Sequence, residues 1–462
     1  MPLRLKLTLV YLLGFALDLI NMFIVSVAYP DIGRDLQASL AQLAWVGNAY
    51  MLGLTLVIPL SVWLAGAYGE RRVMLLSLAL FMTASALAGS AGSIEALIGW
   101  RALQGLGGGL LIPIGQAMVY RHYPPAQRAR LTAWIMSVAL IVPALSPALG
   151  GLLVDMLSWR WALLASLPLA LLTLLLAAAW LPRGDVAARS GALDGSGLML
   201  VALGMSALLL ALGWLGEGGH EPRGVVALAL AALALAAYAR GAAGKAEPVL
   251  KLALLRGRLL RTAMLVYLFV PGVFMGVSMA AMLYLQEVLK LGAARTGALM
   301  LPWALASALA ISLTRLAFNR HGPKPLLLLG MAVQSAGILL LAVGVSRYGG
   351  LIAAYGLMGF GGSLCSSVAQ SAAFLDVAET ELRQASALWN INRQFSFGLG
   401  VAAISMLLNA LGGGASVAIV QAYQACFLIA AGLTLAPAVF VLRIHTPAVL
   451  ALLRRPHSER AS

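Results

Sequence analysis

Apolar stretches of about twenty residues recur roughly fourteen times along this chain, and each can cross a bilayer's ~30 Å hydrocarbon core as a helix. They fall near residues 8–28, 43–65, 73–92, 95–120, 131–154, 161–181, 195–214, 224–239, 262–286, 296–316, 324–345, 349–373, 388–411 and 424–442. The composition agrees: 61% of residues are hydrophobic and 10% charged, where soluble domains carry about 25% charged residues. Lipid offers the backbone no hydrogen-bond partners, so spans this apolar satisfy themselves as helices. An all-α, multi-pass membrane protein is the expected class.

Lys and Arg set the expected orientation, because cytoplasmic loops carry the excess. Arg4 and Lys6 precede the first span, Arg71 and Arg72 follow the second, and Arg121, Arg128 and Arg130 follow the fourth. Arg240, Lys245, Lys251, Arg256, Arg258 and Arg261 follow the eighth, and Arg443, Arg454, Arg455 and Arg460 close the chain. Loops of the other parity hold Arg34, Arg160, Arg223, Lys290, Arg295 and Arg347. Both termini are therefore expected in the cytoplasm, which agrees with an even number of spans. The net charge of +15 is spread over short loops rather than gathered in a patch, so no nucleic-acid partner is expected. The first span is too long for a signal peptide and lacks a cleavage motif. Cys365 and Cys426 fall inside spans without metal-ligand spacing, so neither a disulfide framework nor a metal is expected. No nucleophile–base set lies within a span, and enzyme activity is not expected.

Two charged residues stand inside spans. Asp18 is near the centre of the first, where a carboxylate costs roughly 2.5–3.5 kcal/mol on insertion scales. Such residues usually face an interior cavity or a transport pathway; pairing with a neighbouring helix for packing alone is the other reading. Arg101 lies about a third of the way into the fourth span, with Gln104 three residues on and so on the same face. Its permanent charge needs a partner or water at that depth. A clamp on backbone carbonyls is the alternative role.

Glycines point to an internal duplication. Gly105, Gly107, Gly108 and Gly109 lie in the fourth span, and Gly356, Gly359, Gly361 and Gly362 in the twelfth. With spans seven and eight set aside, each cluster sits in the fourth helix of a six-helix half, and small residues let membrane helices approach closely. The expected organisation is a six-helix bundle over 1–181, an inserted helix pair with polar linkers over 182–261, a second six-helix bundle over 262–443, and a cytoplasmic tail over 444–462.

The stretch LIGWRALQGLGGG (97–109) is similar to the fourth-helix motif of drug–proton antiporters of the major facilitator superfamily. VPALSPALGG (142–151) resembles the antiporter motif of their fifth helix. SWRW (158–161), YLQ (284–286), GALMLP (297–302) and ASALWNINRQ (385–394) look like the fourteen-helix branch, the EmrB/QacA type. The resemblance runs over nearly the whole chain. It implies a major facilitator fold in a bacterial inner membrane, with two six-helix bundles plus two inserted helices. It also implies proton-coupled efflux of lipophilic, cationic or neutral compounds by alternating access, driven by the proton gradient with no cofactor. The implied partners are a lipophilic small molecule, protons and the lipid bilayer, with a monomer as the working unit. Export of one endogenous metabolite or lipid-like compound stays open as an alternative, as does a non-transporting sensor or assembly partner.

On this resemblance Asp18 carries the coupling proton and Arg101 tunes it. Pro143, Pro147, Gly150 and Gly151 form the fifth-helix motif, in which prolines remove intrahelical donors and glycines flatten one face. Val142 and Ser146 stand where the family has glycine. Asn21, Gln104, Tyr50, Met51, Tyr284, Gln286, Trp303, Asn390, Arg393 and Gln394 are the candidate cavity lining, and Glu287 is expected in solvent. Methionine and aromatic side chains there favour loose specificity.

Two departures from the family pattern bear on mechanism. The family's first-helix acid aligns with Asn21, with Phe23 and Ser26 at later motif positions, so Asp18 supplies the charge one turn earlier on the same face. In VWLAGAYGERR (62–72), Gly69 is kept, but Gly66 replaces the family's aspartate and Ala67 its arginine. The cytoplasmic gate is expected to use Gly66, Gly69, Glu70, Arg71 and Arg72, with Glu70 pairing to Arg71 or Arg72.

Overall fold

The structure, a computed structural model, describes residues 1–183, 193–216, 222–242, 244–245, 248–291, 293–343, 347–411 and 416–454. Much of the expected 182–194 linker and the end of the 444–462 tail lie outside them. Among the described residues every regular element is helical. The first half contains α1 (Leu3–Phe23), α2 (Leu40–Tyr68), α3 (Glu70–Gly89), α4 (Ile94–Arg121), α5 (Pro125–Met156) and α6 (Trp159–Trp180, in two pieces). After α7 (Gly195–Gly216) and α8 (Pro222–Ala242) come α9 (Arg258–Leu283), α10 (Met300–His321), α11 (Pro323–Ala342), α12 (Tyr348–Ala373), α13 (Leu382–Leu411) and α14 (Ser416–Leu435).

Among the described residues thirteen helices are long and apolar enough to cross a membrane, against the fourteen spans expected. The difference is α1, which carries Arg4, Lys6 and Asp18 and is not one of the thirteen. It packs against α4, α5 and α6, so its place in the bundle is fixed by neighbours as well as by its own hydropathy.

Local signals set several helix ends. Ser39 accepts from Gln42 N while the Gln42 side chain accepts from Ser39 N, a reciprocal cap at the start of α2. Ser93 accepts from Ala96 N and caps α4 in the same way on one side. Gly69 alone separates α2 from α3, at φ +83°, where any side chain would be strained.

The two halves repeat one packing scheme. α2 and α3 both pack on α4, and α10 and α11 both pack on α12, while α1 and α9 meet α4 and α12 respectively. Glycines allow it. A Cβ on Gly105 would lie 2.1 Å from Tyr50 O of α2, and one on Gly359 would lie 2.3 Å from Trp303 O of α10. A Cβ on Gly107 would meet Phe81 N of α3 at 2.8 Å, and one on Gly361 would meet Gln334 N of α11 at 2.4 Å. The two pairs are separated by the same number of positions, so matching small residues make matching close approaches. α7 packs against both α2 and α13 and so covers a seam between the halves, with α8 against α7.

The halves are tied together at the face that carries the amino terminus. Arg128 of α5 donates from Nη1 to Phe374 O just beyond α12, and Asn319 of α10 donates to Ala126 O at 2.6 Å. The rings of Tyr120 and Phe374 meet with centroids 4.8 Å apart. One layer deeper, Asn390 Nδ2 of α13 donates to Gln116 Oε1 of α4 at 2.7 Å. A short helix, Thr446–Arg454, packs across α5 and α10 at the same face.

Candidate functional site

Asp18 is 4% exposed and accepts a hydrogen bond from a tyrosine: Tyr50 of α2 donates to Asp18 Oδ1 at 2.6 Å. The Arg101 guanidinium lies over the same tyrosine ring, Cζ to centroid 4.4 Å. The acid and the base are thus joined through one phenol: its face meets the cation and its hydroxyl meets the carboxylate. Arg101 donates Nε to Val46 O at 3.2 Å, Nη2 to Asn21 O at 3.1 Å and Nη1 to Gln104 Oε1 at 2.5 Å. Gln104 Nε2 in turn donates to Asn21 Oδ1 at 2.7 Å and Ser85 Oγ at 2.6 Å. Four helices, α1 to α4, contribute to this network. The close contact at Gly105 brings Tyr50 beside Arg101, so the glycine cluster also positions the site.

Beyond the contacts that tie the halves together lies a cavity of about 300 Å³, walled by α1, α5, α9, α10, α12 and α13. Its lining is mainly apolar, including Phe15, Met22, Met136 and Phe397, and Trp303 stacks on Phe274 with centroids 5.7 Å apart. Pro143 lines it too. Among the described residues Arg393 is the one charged residue in its wall, with Cζ 5.1 Å from the Phe15 ring centroid. A second cavity of about 660 Å³ lies between α2, α7, α9 and α13 and shares Met22 and Phe397 with the first. Met51 and Gln394 line the second, where Gln394 Nε2 donates to Met51 Sδ at 2.7 Å. Volumes on this scale suit drug-sized ligands.

The predicted lining therefore divides. Trp303, Arg393, Met51 and Gln394 face cavities. Asn21, Gln104 and Tyr50 do not; they are wholly buried in the Asp18–Arg101 network. Asn390, expected in the cavity lining, is 3% exposed and holds Gln116 across the halves. Tyr284 packs against Tyr423 and Phe427 rather than lining either cavity. Gln286 is exposed, because α9 widens into a π turn over Tyr284–Val288 that carries this side chain away from the cavity-facing rows. The side chains of Glu287 and Ser26 lie outside the described residues. In the α5 motif both prolines sit inside the helix, and a Cβ on Gly150 would meet Ile24 Cγ1 at 2.7 Å, so this glycine lets α5 approach the end of α1. Gly151 makes only ordinary contact, with Val27.

The gate differs from expectation. Glu70 pairs with Arg121 of α4, not with Arg71 or Arg72. Arg71 donates to Ala178 O of α6 at 2.7 Å, and Arg72 is exposed. Gly66 and Gly69 lie at the end of α2, and all these contacts stay within the first half. A carboxylate on α3's first residue reaches its own bundle because Gly69 turns the chain sharply there. The charged side chain that links the halves at this face is instead Arg128, on the Phe374 carbonyl beside the Asn319–Ala126 bond, a residue whose position suggested only a loop charge. Removing a charge-assisted hydrogen bond of about 1.5–3 kcal/mol with Arg128→Ala is expected to raise the population open at this face roughly 10- to 100-fold. Distances between spin labels at positions 127 and 320 would report it, and an unchanged distribution would mean that Asn319 and the Tyr120–Phe374 packing suffice.

The SWRW stretch acts away from the cavities. Trp159 Nε1 donates to Asp35 Oδ2 at 2.9 Å and Arg160 Nη1 to the same oxygen at 2.7 Å. These donors, the indole first, hold the Asp35 carboxyl below the usual carboxylate range. The clasp between the α1–α2 connection and α6 is thus present at neutral pH and loosens as acid protonates that carboxyl.

A family model, Major Facilitator Superfamily, matches residues 11–401. A multidrug resistance protein B homolog of Mycobacterium tuberculosis (strain CDC 1551 / Oshkosh) is 31% identical over 405 residues, which cover 84% of this chain and 73% of that protein. A putative multidrug resistance protein MdtD of Klebsiella pneumoniae (strain 342) is 29% identical over 334 residues, 70% of this chain and 69% of that protein. The solved structure of the human organic anion transporter MFSD10 (TETRAN) aligns with a TM-score of 0.67 at 18% identity, over 96% of this chain and 100% of that one; at such identity the likeness concerns the fold alone. With these matches, two bundles of repeated packing and a cavity between them, the chain belongs to the major facilitator superfamily and is a multi-pass membrane transporter of small molecules, not an enzyme.

Proposed function

We propose that this protein is a proton-coupled exporter of several lipophilic small molecules in a bacterial inner membrane, working as a single chain by alternating access. The observation that carries the reading is the buried Asp18, bridged by Tyr50 to Arg101 and placed on the helix whose Phe15, Leu19 and Met22 line the central cavity. An acid that can be charged or neutral, next to a cargo cavity, couples the two when its protonation changes which conformation is favoured. The apolar, Met- and aromatic-rich wall supports broad cargo choice, as do the multidrug names of the relatives. Both bundles that wall the cavity come from one chain, which supports a monomer as the working unit. With basic loops in the cytoplasm, the face closed by Arg128 is the inner one, and this conformation is closed to the cell interior. The two bundles then rock about the cavity to expose it to either side.

The test is transport by purified protein in proteoliposomes, with an imposed pH gradient and a panel of chemically unrelated lipophilic dyes and metabolites. Several compounds should move against their gradients, and a protonophore should stop them. A panel on which no compound responds to the pH gradient would overturn the reading.

A further inference from the structure

Arg393 makes no hydrogen bond to the Asp18–Tyr50–Arg101 network, although its charge acts on Asp18. It sits on α13 and, among the described residues, is the one charged residue in the wall of the 300 Å³ cavity. Its Nε is buried without a hydrogen-bond partner among the described residues, and no ion pair within contact distance holds it there. Its near neighbours are aromatic: Phe15 under the guanidinium, with Tyr267 and Phe397 in the same wall. Arg101, fully buried where Arg393 is half-buried, is engaged by Val46, Asn21 and Gln104. Asp18 is held by Tyr50 and is not part of the cavity wall.

From this arrangement we propose that the cavity selects amphipathic anions: an aromatic or aliphatic body against the Phe, Met and Trp wall, and a sulfonate, carboxylate or phosphate group on Arg393. The inference rests on the transport reading of this cavity and narrows its cargo, replacing the cationic or neutral class that the sequence implies. The physical case has three parts. A guanidinium whose buried Nε lacks an acceptor among the described residues is costly, and a multi-oxygen anion supplies acceptors in the fork geometry that it matches. A cation would meet the positive charge of Arg393 with no carboxylate among the described wall residues, since Asp18, the acid whose charge acts on Arg393, is held by Tyr50 outside that wall. An inside-negative membrane potential also favours expelling an anion. The neighbouring cavity of about 660 Å³ has no charged residue among the described residues of its wall, so these add room for the apolar body but not a second anchor.

Three naphthalene compounds of nearly equal size separate charge from shape: naphthalenesulfonate, naphthol and naphthylmethylammonium. Binding to the full chain in nanodiscs is read by displacement of radiolabelled naphthalenesulfonate at neutral pH. The sulfonate should bind at least about tenfold more tightly than the neutral alcohol, and the ammonium more weakly than either. Arg393→Gln should bring sulfonate and alcohol within about twofold of each other, while an unchanged thermal midpoint of the protein in nanodiscs reports an intact fold. Arg393→Lys should keep part of the preference. A sulfonate preference that survives Arg393→Gln, or an ammonium that binds best, would overturn the proposal. Because binding needs no proton gradient, selective anion binding without gradient-driven movement would leave this inference standing and remove the transport reading instead.

Discussion

Asp18→Asn is expected to reduce proton-driven transport on the order of 100-fold, the scale on which losing a positioned proton carrier is felt. The amide keeps the shape of the carboxylate and still accepts the Tyr50 hydroxyl proton that now reaches Asp18 Oδ1 at 2.6 Å. It no longer takes up or releases a proton. Packing should therefore survive, and the melting temperature in detergent should stay within a few degrees of the parent. Movement of cargo down its own gradient should persist, since it needs the rocking motion but no net proton flux. Gradient-driven transport at the parent rate would remove Asp18 from the coupling role, whatever the fate of the rest of the network.

Arg101→Ala should have the second largest effect, and it should act on stability as well as on transport. The side chain is 1% exposed and bonds three acceptors on three helices. Its loss strands Val46 O, Asn21 O and Gln104 Oε1 and removes one of the two cations whose charge acts on Asp18, leaving Arg393. Breaking a buried charged arrangement by removing one partner costs about 3–5 kcal/mol, so both the yield of folded protein and its thermal midpoint should fall. Arg101→Lys should recover folding better than transport: the charge returns, but a single ammonium lacks the planar fork that reaches three acceptors. Full activity in the lysine variant would show that charge alone matters, and an alanine variant with parent stability and transport would make Arg101 a packing residue.

The two residues at the centre of these experiments were visible in the sequence because the membrane makes them conspicuous. A charge inside an apolar span is rare, and Gln104 three positions after Arg101 must share its face. The residue that joins them was not visible as such. Tyr50 read as one more aromatic of the cavity wall, and only the approach of α2 to α4 at Gly105 puts its ring under Arg101 and its hydroxyl on Asp18. Glu70 shows the same limit at short range. Two arginines follow it directly in sequence, yet its partner is Arg121, because the turn at Gly69 aims α3 back along its own bundle. Gln286 looked polar and well placed, and a π turn at the end of α9 carries it outward.

By itself the sequence determined that the chain crosses a membrane many times as helices, that two halves repeat, and that Asp18 and Arg101 lie within the apolar core. Those properties follow from local rules: backbone groups in lipid must bond within their own segment, so each span declares itself by composition and length. Only the tertiary structure decided which polar side chains meet, such as Arg128 with Phe374, Asn390 with Gln116 and Asp18 with Tyr50. It also placed Arg393 in the cavity wall, with its Nε unbonded among the described residues and Asp18 acting on it from outside that wall. These pairings join residues far apart in the chain. They depend on helix rotation and on close approach at a few glycines, which no periodicity within a single span encodes.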